Sequence, residues 1–117
     1  MNPKKTMRVY KLHTDATAEL VEMPNATPDE ELDSLQDAVG GYIEFVRLTD
    51  DAALVVDEEG LCKGREINAV ATLLARQPIV GPAVLVGIEH TPDGDVCTDC
   101  PPRFAEWVDY MMEEDEE

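Results

Sequence analysis

The stretch from Gly40 to Gly87 constrains the fold most. Tyr42–Leu48 and Ala53–Val56 are two β-rich runs separated by the turn Thr49-Asp50-Asp51. The run Ala53-Leu54-Val55-Val56 is apolar without a break, which predicts a strand buried on both faces. Asp57-Glu58-Glu59-Gly60 closes that strand, and residues 61–67 read as a loop containing Gly64. Asn68 is placed to cap a helix over 69–76, with Val70, Leu73 and Leu74 inward and Arg76 near the negative end. Pro78 ends the helix. Ile79-Val80 and then Ala83–Ile88 form an apolar strand, with Gly81-Pro82 as a bend.

The flanks extend the pattern. Met7–Leu12 reads as a first strand and Ala18–Met23 as its hairpin partner, stopped by Pro24 because proline has no N–H for a ladder. Thr27-Pro28-Asp29-Glu30 is a helix start: a capping box, proline at the first position, and carboxylates at the positive end of the dipole. Leu32, Leu35 and Val39 make a stripe at helical spacing, and Gly40-Gly41 stops it. His90–Asp95 reads as a turn. Pro101 or Pro102 opens a third helix with Phe104, Trp107, Val108, Met111 and Met112 on its apolar face. The expected product is one α+β domain over residues 1–112 with an acidic tail over 113–117. Its sheet is mainly antiparallel, with four to five strands packed by two to three helices. The order β-α-β-β-α-β suggests a ferredoxin-like split βαβ.

Charge bounds the partners. The 117 residues carry 26 acids and nine bases, a formal net charge of −17. Such a field repels phosphate backbones and anionic membranes, so direct nucleic-acid binding is not expected. An acidic, lysine-poor surface suits solvation in a salt-loving organism; it also suits mimicry of nucleic acid toward a DNA-binding partner. No run of about 18 apolar residues appears, and the start of the chain has no apolar signal core, so a cytoplasmic location is expected.

The segments Gly41–Val46, Val56–Leu61, Gly64, Asn68, Ala71 and Gly81–Gly87 resemble an uncharacterised family of small domains. Its members occur in bacteria, archaea, phages and other mobile elements. The resemblance spans roughly residues 30–90. It implies a small accessory protein and supplies neither an activity nor catalytic residues.

Local chemistry offers three candidates. Asp57, Glu58 and Glu59 are adjacent carboxylates that suit a hard cation, or a solvated turn with Gly60. Lys63, Gly64, Arg65 and Asn68 form a basic island at a helix start, which suits a small anion or nucleotide, or plain capping with the bases paired to nearby acids. Cys97 and Cys100 form a CxxC; with Cys62 and His90 (or His13) they make a candidate zinc set, although one CxxC supplies only half of the usual ligands. Otherwise no cofactor is implied. Ser34, the lone serine, falls within a helix, and the two histidines have no sequence partner for a triad. The sequence therefore favours a non-enzymatic accessory protein acting through protein–protein interaction or self-association. A small-anion or nucleotide-binding protein using residues 57–68, and a nucleic-acid-mimicking inhibitor from a mobile element, are the alternatives.

Overall fold

A computed structural model describes residues 5–113; most of the tail expected over 113–117 lies outside the described residues, with Glu113 closing the last helix. The elements are β1 (Thr6–Leu12), β2 (Ala18–Pro24), α1 (Pro28–Val39), β3 (Ile43–Thr49), β4 (Ala52–Asp57), α2 (Ala69–Ala75), β5 (Ala83–Thr91), β6 (Gly94–Thr98) and α3 (Pro102–Glu113).

Local signals set most of the boundaries. Thr27 accepts the Glu30 N–H on its hydroxyl at 3.1 Å, which starts α1. Gly40, at φ +81, ends it and returns its N–H to the Gln36 carbonyl at 2.8 Å. Only glycine adopts that left-handed conformation without steric cost.

The strands pair antiparallel in the order β2-β1-β5-β4-β3. β5 is the hinge of the sheet. One edge carries β4; the other carries β1 along Ala83–Leu85 and then β6 along Gly87–Thr91. At the hand-over, a Cβ on Gly87 would sit 2.1 Å from the Asp99 carbonyl oxygen, so a side chain there is sterically excluded. The Cys100 N–H then donates to the Arg8 carbonyl at 2.8 Å, tying the exit of β6 to β1.

Period-2 alternation divides the core between two faces. Met7, Val9, Ala53, Val55, Val84, Val86 and Ile88 meet Leu35 and Val39 of α1. Tyr10, Leu12, Leu54, Val56, Ala83 and Leu85 meet Val70 and Ala71 of α2 and Val108 of α3. The sheet is thus a middle layer, and β4 is buried along its full length, as its unbroken apolar run predicts.

The α+β class, the antiparallel sheet and the three helices stand as expected. The split βαβ arrangement does not. α2 joins β4 to β5, which are antiparallel neighbours, whereas a split βαβ joins parallel strands with another strand between them. The segment read as a turn, His90–Asp95, mostly extends β5 and opens β6, with only Pro92-Asp93 turning. Leu73, expected inward, is 59% exposed. Leu32 of the α1 stripe is also exposed. No helix of the described residues is long and apolar enough to cross a membrane.

Candidate functional site

Asp57 is the last residue of β4, and its side chain is 0% exposed. A buried carboxylate needs partners, because desolvation penalises its charge. Its Oδ2 accepts Lys63 Nζ at 2.8 Å and Arg65 Nε at 3.0 Å. Its Oδ1 accepts the Glu59 N–H at 2.9 Å. Burial pushes this carboxyl up; the hydrogen bonds from Lys63, the Glu59 N–H and Arg65 outweigh it and leave Asp57 below the usual carboxylate range.

The same two bases finish α1. That helix has three carboxylates in its first turn and no base in its last. Its terminal carbonyl, on Gly40, accepts Lys63 Nζ at 3.2 Å and Arg65 Nη2 at 3.0 Å. Cations at a helix C-terminus answer the orphan carbonyls and the negative end of the dipole. The Arg65 stem runs between two glycines. A Cβ on Gly40 would lie 2.7 Å from Arg65 Nη2, and one on Gly81 would lie 2.6 Å from Arg65 Cδ. The glycines that mark this stretch of sequence therefore make room for the arginine.

Asn68 is saturated as well. Its Oδ1 accepts the Ala71 N–H at 3.1 Å, capping α2. Its Nδ2 donates to the carbonyls of Leu12 and Gly81, both at 2.9 Å. The residue is fully buried and stitches β1, the bend before β5 and α2 together. Gly64, at φ +70, turns the loop in open space. Glu58 and Glu59 project to solvent.

The structure thus brings Asp57, Lys63, Arg65 and the Glu59 backbone together, and puts Asn68 to work as a buried cap. Lys63 and Arg65 spend their charge on Asp57 while staying 37% and 28% exposed. An incoming anion would meet one net positive charge, flanked by Glu58 and Glu59.

The four candidate zinc ligands are not brought together. Cys97 lies in the core on the α1 face, and Cys100 lies in the core on the other face. Cys62 is exposed on the loop. No group of three or more His, Cys, Asp or Glu suited to a metal occurs among the described residues. Burial, with Glu31 beside it, pushes the Cys97 thiol up to about 12; burial with Asp109 and Asp99 does the same for Cys100. Both remain protonated thiols at neutral pH, poor as nucleophiles.

Two features had no clear signal in the sequence. The first is a polar lattice around the β3–β4 turn. His90 Nδ1 lies 2.7 Å from Asp95 Oδ1, and its Nε2 lies 3.0 Å from the Asp50 carbonyl oxygen. Arg47 Nη2 donates to Asp95 at 3.2 Å, and Arg103 holds Asp51 through contacts of 2.6 and 3.1 Å. These residues are far apart in sequence and meet only through the β5–β6 hairpin and α3.

The other feature is the rim of the sheet. Among the described residues β3 pairs with β4 alone, so its other edge is open. On the α1 face a cavity of about 330 Å³ lies between the helix and β3, lined by Leu32, Phe45, Ile88 and Val96 with Glu31, Arg47 and Asp95 at its margin. On the opposite face of the same strand another cavity of about 330 Å³ is lined by Glu44, Val46, Glu58, Leu61 and Pro78. Phe45 is 47% exposed and Leu61 79%. The sequence marks Tyr42–Leu48 as a strand, but not that it stands at an edge.

Fold and site together define a small three-layer α+β domain, with a saturated ion cluster at one end of β4 and an open apolar sheet rim beside it. The chain belongs to the family described as Domain of unknown function (DUF3846), whose model matches residues 7–112. No curated protein matches the chain. Among solved structures, the crystal structure of the small RNA methyltransferase HEN1 contains a similar fold, with a TM-score of 0.66 at 15% identity. The match covers 87% of this chain but only 16% of that one, so the likeness concerns the fold of one part of a much longer protein.

Proposed function

We propose that this domain is a non-enzymatic accessory protein of the cytoplasm that acts by binding another protein. The observation that carries this reading is the open edge of β3 with Phe45, Leu32 and Val96 exposed around an apolar cavity. Exposed apolar side chains gathered in one place mark interaction sites more often than chance exposure does. Catalysis finds less support: the Cys97 and Cys100 thiols are buried and pushed up to about 12, and the loop of residues 57–68 is occupied with its own folding. On this reading the net charge of −17 serves solvation, as in salt-rich cytoplasm, and selects basic partners.

The test is cross-linking in extracts of the protein's own cells, with the attachment points mapped by mass spectrometry. Wild type is expected to yield a partner attached near β3 and α1. Phe45→Ala with Leu32→Ala should lose that partner while remaining cooperatively folded, with only a modest drop in melting temperature. A partner retained by that variant, or attached only around residues 57–68, would overturn the reading.

A further inference from the structure

We infer that β3 accepts an added strand from its partner, and that this strand alternates apolar with basic residues. The inference rests on the protein-binding reading above and specifies its geometry.

An open edge strand offers unpaired N–H and C=O groups, and an extended segment answers them with main-chain hydrogen bonds. Side chains of such a segment point alternately to the two faces of the sheet. Here each face of β3 has its own recess, and the two are alike in size, at about 330 Å³ each. Ile43, Phe45 and Arg47 face α1, because they pair with Asp57, Val55 and Ala53. Glu44 and Val46 face the other way, toward the loop of residues 58–62 and Pro78.

The recesses differ in chemistry. The α1-face recess runs inward from Phe45 over Ala53 of β4 to Ile88 of β5 and Val96 of β6, so an added strand meets it at the exposed Phe45 ring, its outer wall. Its arginine is already paired: Arg47 donates to Asp95. It suits Leu, Met or Val. The other recess sets Glu44 and Glu58 beside Val46, Leu61 and Pro78. That combination suits Lys or Arg, whose stem lies on apolar surface while the head reaches a carboxylate. An incoming strand therefore reads apolar, basic, apolar, basic.

The available register is short. Pairing with β4 shifts between Arg47 and Thr49, and such irregularity ends regular addition. Residues 43–47 are the usable stretch. A second copy of this chain is a poor occupant, since each copy carries −17 and would bring like charge to Glu44 and Glu58.

The test uses the whole chain and two synthetic heptapeptides of identical composition. One is Lys-Leu-Lys-Val-Lys-Leu-Lys; the other is its blocked rearrangement, Lys-Lys-Lys-Lys-Leu-Leu-Val. The alternating peptide should bind more tightly, shift the backbone amide resonances of residues 43–47, and slow their hydrogen exchange. Glu44→Lys and Phe45→Ala should each weaken it roughly fivefold or more, as substitutions at an interface centre do, while the protein stays folded and its melting temperature falls by no more than a few degrees. Binding should fall as salt rises. Equal affinity for both peptides, or shifts spread over the acidic surface, would overturn strand addition. So would a wild-type dimer through β3 that tightens with salt and resists the peptide. These outcomes leave the broader reading separately testable: a partner cross-linked near α1 alone would keep protein binding and remove strand addition.

Discussion

The Asp57 cluster and the rim of β3 are neighbours, and they are opposites. In the cluster, both carboxylate oxygens, both bases and the end of α1 find partners inside the chain. At the rim, main-chain groups and large apolar side chains face outward. The cluster is polar and glycine-rich, as binding loops usually are, whereas the rim has the composition of ordinary strand. Satisfaction inside the fold, rather than residue type, separates a structural site from one with capacity to spare.

Removing the carboxylate probes the comparison hardest. Asp57→Ala strips three donors of their acceptor and leaves the two bases at the Gly40 end of α1 without their anchor. The expected loss is about 3 kcal/mol in equilibrium urea unfolding, the low end for a broken buried pair because both bases are partly exposed. Stability within experimental error of wild type would place Asp57 among ligand-binding rather than folding residues.

A milder variant tests the passage of Arg65. Gly81 sits at φ +79, and an added Cβ would press on Arg65 Cδ at 2.6 Å. Gly81→Ala should cost about 1–2 kcal/mol through backbone strain and displacement of the arginine. Nuclear resonances of residues 40 and 65 should move with it, and an unchanged melting curve would show that the stem has another route.

At the rim the sign of the experiment reverses. Phe45→Ala should cost about 1 kcal/mol or less, since the ring is half exposed, yet it should clearly weaken partner capture. A large stability loss with capture intact would exchange the roles of the two regions.

The smallest effect concerns pH. Both ring nitrogens of His90 face acceptors, Asp95 Oδ1 and the Asp50 carbonyl, and the imidazolium alone can donate to both. The hydrogen bond to Asp95, the bond to Asp50 and the charges of those two residues raise its pKa above the ordinary 6.5. Arg47, which shares Asp95, and Arg103, which holds Asp51, are the bases of the same lattice. A raised folded pKa means that the contribution is fully present below pH 6.5 and disappears as pH rises through the folded value. Asp57 has the contrary sign: its contribution is present above the ordinary carboxylate range and disappears only as pH falls through its depressed value. His90→Gln should flatten the neutral limb of a stability–pH profile and leave Asp57's part of the acid limb in place, while Asp95, whose carboxyl His90 and Arg47 hold below the usual range, loses part of its own.

What the sequence discloses is mainly local. Thr27, Gly40 and Asn68 mark helix ends because capping is decided within three or four residues. The unbroken run of β4 announces two-sided burial. The pairing of Lys63 and Arg65 with a nearby acid was legible as one of two readings, since charges six and eight positions from Asp57 can meet across a turn. Strand order was not legible: that β5 lies between β1 and β4 depends on contacts between distant segments. β6 was hidden because Pro92-Asp93-Gly94 resembles the middle of a longer turn. The open edge of β3 was hidden for the same reason as the strand order; an edge is a property of the finished sheet.

The most direct test of the central claim is urea unfolding of Lys63→Ala/Arg65→Ala, measured with and without inorganic phosphate alongside wild type. If these bases serve the fold, the double variant unfolds at a clearly lower urea concentration, and phosphate shifts neither protein specifically. A double variant as stable as wild type, together with a phosphate-induced stabilisation that wild type shows and the variant lacks, would make residues 57–68 an anion site and contradict the account.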